Sequence, residues 1–286
     1  MVNTKRFARK IVFNLNTFSR SFSSVIDDTK SLPFPEKIGS RWELESSFFL
    51  TIVGYWGQSI IRFGNSLKIH NQERLLKYLE KGGRPEGCSL LTVCNHASML
   101  DDPALMSSLV RGKDLRTSRT MRWVLGAKEI MFTNPFFTFV CSRGKVIPTV
   151  RGDGIYQPAV TYSIQRMNAG DWVHIFPEGI VTLEPVRLKW GVGRMLAECN
   201  HVPIILPFWH CGMEDVLPCA EPYIPRFGKK VTVLIGEPIE MKSVIEECQK
   251  DQLCEEKTRI KLTNVIQEKM YALQEETERL HAERIS

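Results

Sequence analysis

The run Ser89-Leu90-Leu91-Thr92-Val93-Cys94, followed by Asn95-His96-Ala97-Ser98-Met99-Leu100-Asp101-Asp102-Pro103, decides how this chain is read. The first six residues are short, apolar and β-branched enough for a buried strand, and Pro103-Ala104-Leu105-Met106 reads as a helix start. Pro is favoured at the first helical position and Asp at the cap before it, so Asp102 is expected as the N-cap. Asp101 is then free for other work. On one straight helix, residues five apart point about 140° away from each other, so His96 and Asp101 meet only if the chain turns between them. The cap supplies that turn. An imidazole accepts a proton near neutral pH, and a carboxylate on its other nitrogen fixes the tautomer and stabilises the cation that forms. The spacing therefore predicts a general base at the end of a strand, set to activate a substrate hydroxyl.

Working outward, apolar periodicity predicts helices over 71–80, 153–167 and 189–199, and strands over 89–94, 122–125, 145–148, 172–176, 203–209 and 230–235. Helices alternating with buried strands predict an α/β fold with a mainly parallel central sheet flanked by helices. Ligands in such sheets collect at the carboxyl ends of the strands. His96, Arg151 and Glu178 each follow a strand and are expected to converge there. The chain divides into a basic, targeting-like segment and linker over 1–44, an interfacial membrane anchor over 45–68, a catalytic domain over 69–242, and a C-terminal amphipathic helix over 243–286 that belongs to the same unit.

The first 30 residues carry Lys5, Arg6, Arg9, Lys10 and Arg20, with no acid before Asp27, the composition of a mitochondrial transit segment. Residues 46–61 hold Phe48, Phe49, Leu50, Ile52, Val53, Tyr55, Trp56 and Ile60 and no charge. As a helix they reach about 24 Å, short of the ~30 Å hydrocarbon core, so the segment is expected to lie in one leaflet without spanning. A second uncharged run over 130–142, with Phe132, Phe136, Phe137 and Phe139, is followed by Arg143 and Lys145 and completes a monotopic patch. The formal charge of +6 concentrates between Arg111 and Arg151. That stretch has neither zinc-finger spacing nor an RNA-binding aromatic signature; its Phe-rich interleaving fits an anionic membrane surface better than nucleic acid. The eight cysteines show no C-x-x-C pair and read as reduced, packed thiols.

Four blocks stand in order: the His96-x4-Asp101 stretch, Gly144-Lys145-Val146-Ile147-Pro148-Thr149-Val150-Arg151-Gly152, Phe176-Pro177-Glu178-Gly179, and Val202-Pro203-Ile204-Ile205-Leu206-Pro207. Together they resemble the motifs of the glycerolipid acyltransferases. Met121-Arg122-Trp123, Gly152-Asp153-Gly154-Ile155-Tyr156, Gly170-Asp171-Trp172-Val173-His174-Ile175, Trp209-His210-Cys211-Gly212-Met213 and Pro225-Arg226-Phe227-Gly228 narrow the resemblance to one branch, over roughly residues 45–275. It implies a donor that is itself a phospholipid, no coenzyme A, and remodelling of cardiolipin in mitochondria, on membranes facing the intermembrane space. The alternative keeps the fold and uses acyl-CoA as donor to a lysophospholipid of the 1-acylglycerol-phosphate type.

In this reading His96 and Asp101 are catalytic. Arg151, before Gly152, can meet a phosphate bidentately, and the resemblance implies the same. Glu178 can accept from a glycerol hydroxyl, Gly179 lets backbone approach the ligand, and Lys145 is counted with the substrate-binding residues. His174 and His210 read as packed or supporting residues. No metal or cofactor is expected. The expected partners are phospholipids and lysophospholipids (cardiolipin and phosphatidylcholine) and an anionic membrane surface, with no nucleic acid; an oligomer is compatible with the sequence. A serine hydrolase using Ser98 would need a Gly-x-Ser-x-Gly elbow, which the chain lacks, and a non-enzymatic membrane scaffold would need no particular His96.

Overall fold

The computed structural model describes residues 31–286; the segment read as a targeting sequence lies largely outside them. Seven strands form one sheet: β1 (Ser66–His70), β2 (Leu90–Cys94), β3 (Trp123–Ala127), β4 (Val146–Thr149), β5 (Trp172–Ile175), β6 (Ile204–Cys211) and β7 (Lys230–Ile235), in the order β1-β7-β6-β2-β5-β3-β4. Helices of seven residues or more are α1 (Ser40–Gln58), α2 (Glu73–Leu79), α3 (Pro135–Arg143), α4 (Pro158–Asn168), α5 (Gly191–Glu198), α6 (Lys242–Lys250) and α7 (Glu255–Ile285). Every pairing is parallel except β6 with β7, so the expected α/β fold with a mainly parallel sheet is what forms. All five residues of β2 and all four of β5 are buried, as strands covered by helices on both faces must be.

The sheet separates two cores. Trp42, Trp123, Tyr162, Leu262, Ile266 and Met270 belong to the layer on one side; Leu50, Ile61, Leu105, Trp172 and Phe208 belong to the other. The long C-terminal helix is thus part of the domain. It breaks from α6 through residues 251–254, where Gln252 is left-handed at φ 49°, and it lies so close to α5 that a Cβ on Gly193 would stand 2.3 Å from the Arg259 carbonyl.

Several sequence expectations shift. β1 was not foreseen, and it places residues 66–68 in the sheet instead of in the anchor. Its pattern is half-polar because it is an edge strand paired only with β7. The helix expected over 153–167 begins only at Pro158, because the Gln157 side chain is used to hold the preceding loop: Val150 N donates to its Oε1 at 2.8 Å, and its Nε2 donates to the carbonyls of Val150 and Gly154. Asp102 is not an N-cap. The chain enters a π-helical turn, Asp101–Met106, from Leu100 with no side-chain cap.

α1 runs beyond the uncharged segment and continues into a π-helical turn, Ser59–Phe63. One face carries Trp42, Ser46, Leu50, Gly54 and Gly57 against the domain, and the other presents Leu44, Phe48, Ile52, Tyr55 and Trp56 to the outside. α3 leaves Phe136, Phe137 and Phe139 exposed beside it, with Phe139 edge-on to Phe49. Among the described residues no helix is long and apolar enough to cross a membrane. The close seat of α1 depends on Gly57, where a Cβ would stand 2.3 Å from the Pro103 carbonyl oxygen and 2.6 Å from the Ala104 Cα. Backbone cannot yield as a side-chain tip can, so Gly57→Ala is expected to cost about 1–3 kcal/mol. Gly191→Ala, facing open space, should be neutral or stabilise by up to about 1 kcal/mol. Equilibrium urea unfolding of the two variants measures the difference.

Candidate active site

The loops after β2, β4 and β5 and the end of β6 gather at one edge of the sheet. There the Asp101 carboxylate, fully buried, is the centre of a convergent set of donors. Its Oδ2 accepts from Ala97 N at 2.8 Å, Ser98 N at 2.9 Å and the His96 Nδ1 at 2.9 Å. His210 Nε2 lies 3.4 Å from the same oxygen. Burial pushes this carboxyl up, but the His210 charge and hydrogen bond, followed by those of His96, more than reverse it and hold Asp101 well below the usual carboxylate range. It is an anion. For His210, burial works against protonation, and the Asp101 charge overcomes it and raises the imidazole above its ordinary value. Asn95 fixes His210 in place: its side chain donates to the His210 carbonyl and accepts from the His210 N–H, both at 3.0 Å.

With Nδ1–H on Asp101, His96 keeps Nε2 as its proton acceptor. The ring is partly exposed, lines the cavity described below, and stacks on Phe176 with centroids 4.1 Å apart. Beneath it His174 is fully buried, held by Thr92 Oγ1 at 2.8 Å, and burial drives it well below its ordinary pKa. His174 is a neutral packing residue.

The remaining sequence candidates take different places. Glu178 is buried and absent from the cavity wall; its Oε2 accepts the His96 backbone N–H at 2.8 Å. It braces the base and is not presented to a glycerol hydroxyl. Lys145 is also buried, with Nζ donating to the carbonyls of Ser118 at 2.6 Å and Met121 at 2.8 Å and lying 4.9 Å over the Trp123 ring. Burial lowers it to about 7. Committed to two carbonyls, it is corrected from a substrate ligand to a support of the 118–121 turn. Gly179, at φ 73°, does line the cavity. Arg151 lines its mouth, half exposed, 3.3 Å from Glu129. Asp102 pairs with Arg122, whose Nε donates to Oδ1 at 2.9 Å and whose Nη2 donates to Oδ2. Sequence reasoning missed this pair, of which Arg122 is buried and Asp102 partly exposed, because its members are 20 residues apart.

The cavity measures about 930 Å³, at the upper end of ligand pockets. His96, Arg151 and the Asp102–Arg122 pair supply polar groups; Phe49 and Val53 of α1, Val140 of α3 and Met195 of α5 supply part of an apolar wall. An apolar cavity of this size with one base on its wall suits a reactive head on a long hydrocarbon chain.

The protein family described as Acyltransferase matches residues 66–210, about half of the chain. The chain belongs to the acyltransferase family. A tafazzin from Drosophila melanogaster is 42% identical over 245 residues, covering 85% of this chain and 64% of that one. An N-acylphosphatidylethanolamine synthase from Arabidopsis thaliana is 37% identical over 196 residues, covering 66% and 68%. The chain therefore spans about two thirds of the length of these relatives. The 1-acyl-sn-glycerophosphate acyltransferase of Thermotoga maritima shares the fold at TM-score 0.53 and 16% identity, over 80% of this chain and 81% of that one.

Two adjacent aspartates should weigh differently on chemistry and on stability, although Asp101 also holds the turn and Asp102 also lines the cavity. Asp101→Asn should cut transfer by roughly three to four orders of magnitude, because the His96 tautomer is no longer fixed. Asp102→Asn leaves Arg122 buried without its counter-charge and should cost on the order of 3 kcal/mol, largely recovered in Asp102→Asn/Arg122→Gln. Kinetics with denaturant melts would show both.

Glu178 gives a pH test. Burial raises its carboxyl from 4.5 to about 7, against the lowering effect of the His96 N–H. The folded state thus holds this proton more tightly than the unfolded chain, and stability falls as pH rises from about 4.5 to about 7. Glu178→Gln removes the titration and keeps an acceptor for His96 N. Wild type should lose stability relative to this variant across that window, with the gap level above it.

Proposed function

We propose that this acyltransferase is a coenzyme-A-independent phospholipid–lysophospholipid transacylase that remodels the acyl chains of cardiolipin on mitochondrial membranes facing the intermembrane space. The observation that carries the reading is that the His96–Asp101 pair opens on a large apolar cavity walled by α1 and α3, the two helices whose opposite faces expose apolar side chains. A base so placed is fed by lipids diffusing in one leaflet. The branch-narrowing segments 121–123, 152–156, 170–175, 209–213 and 225–228, together with the 42% identity to a tafazzin, support the phospholipid donor and cardiolipin as the lipid remodelled.

In the reaction His96 Nε2 takes the proton of a lysophospholipid hydroxyl as that oxygen attacks the ester carbonyl of the donor. The tetrahedral adduct collapses, the donor C–O bond breaks, and His96 returns the proton to the departing lysophospholipid oxygen. Asp101 stabilises the imidazolium between the two steps. Arg151, exchanging Glu129 for a lipid phosphate at the cavity mouth, orients a headgroup, and Gly179 leaves room for backbone to approach the glycerol. One ester replaces another, so the reaction is nearly isoenergetic and runs in both directions.

The test uses purified protein in vesicles containing acyl-labelled phosphatidylcholine, lysocardiolipin and phosphatidylethanolamine, with no acyl-CoA. Label is expected in cardiolipin, and His96→Ala should abolish its appearance. Transfer only when acyl-CoA is added would favour the acyl-CoA-dependent enzyme; label on the amine of phosphatidylethanolamine would point to an amine acceptor; free labelled fatty acid would mean a lipase.

A further inference from the structure

The outward stripe of α1 does not end with the helix. Leu44, Phe48, Ile52 and Trp56 recur at four-residue spacing, and the π-helical turn that follows ends at Phe63, the most exposed large apolar side chain among the described residues at 87%. Next to it lies the loop over 219–228. Its Phe227 ring rests on the Gly64 backbone so closely that a Cβ there would stand 2.3 Å from the ring Cδ1. Tyr223, Ile224 and Phe227 are exposed by 54%, 64% and 65%.

These side chains are presented by a held loop. Gly228 N donates to the Gly64 carbonyl at 2.8 Å, Lys229 N to Asn65 Oδ1 at 2.8 Å, Arg226 N to the Val216 carbonyl at 2.7 Å and Ile224 N to the Pro222 carbonyl at 2.7 Å. Backbone bonding fixes the loop to the end of α1 while its apolar side chains find no core. Such exposure is costly in water and marks a surface that something covers. Arg226 and Lys229 belong to or adjoin the loop in sequence, with Glu221 the acid within it, and Arg62, whose Nη2 donates to the Ser108 carbonyl, precedes Phe63, a balance that suits an anionic surface.

We propose that the 219–228 loop is a third membrane-inserting element, in which Tyr223, Ile224 and Phe227 enter the lipid interface together with Phe63. The patch then reads as α3, α1 and this loop along one face, with basic side chains at headgroup level. The inference rests on the one-leaflet seat given to α1 under the proposed function. The occupant is a lipid bilayer because the loop packs beside Phe63 and Gly64, where the segment that carries the α1 stripe, the face already assigned to lipid, comes to its end.

The experiment moves the indole reporter of the full chain from α1 to the loop, comparing wild type with Trp56→Phe and Trp56→Phe/Phe227→Trp in vesicles of cardiolipin and chain-brominated phosphatidylcholine. Quenching of the new indole beyond the Trp56→Phe background, to an extent similar to that of Trp56 in wild type, is expected. Ile224→Asp/Phe227→Asp should weaken vesicle binding by at least about tenfold with an unchanged melting temperature, since both side chains are exposed. Quenching of Trp56 without quenching of the loop indole overturns the proposal and leaves the α1 seat standing. Quenching of neither overturns both. A loop indole shielded without vesicles, with a concentration-dependent molecular mass, would assign the loop to a second copy of the chain and also overturn the proposal.

Discussion

A buried carboxylate is expensive unless donors surround it, and the arrangement around Asp101 is the solution this fold adopts. Two successive backbone N–H groups and the His96 imidazole converge on Oδ2, with His210 Nε2 as a charge partner 3.4 Å away and Oδ1 left without a hydrogen bond. Satisfying that one oxygen fixes the turn from 96 to 101, the rotamer and tautomer of His96, and the position of the end of β6 relative to β2, which Asn95 clamps from the other side. Removing the charge leaves these donors without their common acceptor. The catalytic geometry and the local stability of the sheet edge therefore share a cause.

A second constraint is the double role of α1. Its inner face is held against the turn that carries Asp101 and Asp102 by Gly57 on Pro103, while Leu50 and Val53 border the cavity. Its outer face is the apolar stripe. One helix therefore supplies both the cavity wall and the outward apolar stripe. Glu45 ties the helix to Arg143 at the end of α3 through a 2.9 Å ion pair, so the two amphipathic elements share one orientation.

Much of this architecture is visible in local sequence. The run 89–94 is a buried strand because it is short, mostly apolar and β-branched, with Thr92 hydrogen-bonded inside the fold, and the His-x4-Asp block follows it because a strand end is where the chain turns. Long-range commitments are not visible in the same way. Asp102 looks like a cap until Arg122 is brought to it from 20 residues on; Lys145 looks like a surface cation until two carbonyls close over it; Glu178 looks free until the His96 N–H takes its oxygen. β1 escaped because Ser66-Leu67-Lys68-Ile69-His70 is the half-polar pattern of an edge strand, and strand identity there comes from β7. His210 could have been suspected only from a polar residue inside an apolar strand, a pattern shared by the merely packed His174.

In the proposed reaction Asp101 holds His96 as the Nδ1–H tautomer, leaving Nε2 free to take a proton from a lipid hydroxyl. Nitrogen-15 NMR of imidazole-labelled protein in vesicles near neutral pH reads that tautomer directly. An unprotonated Nε2 resonance is expected for His96, converting toward the Nε2–H form in Asp101→Asn. A wild-type His96 carrying its proton on Nε2, or a tautomer unchanged by Asp101→Asn, would contradict this role of Asp101.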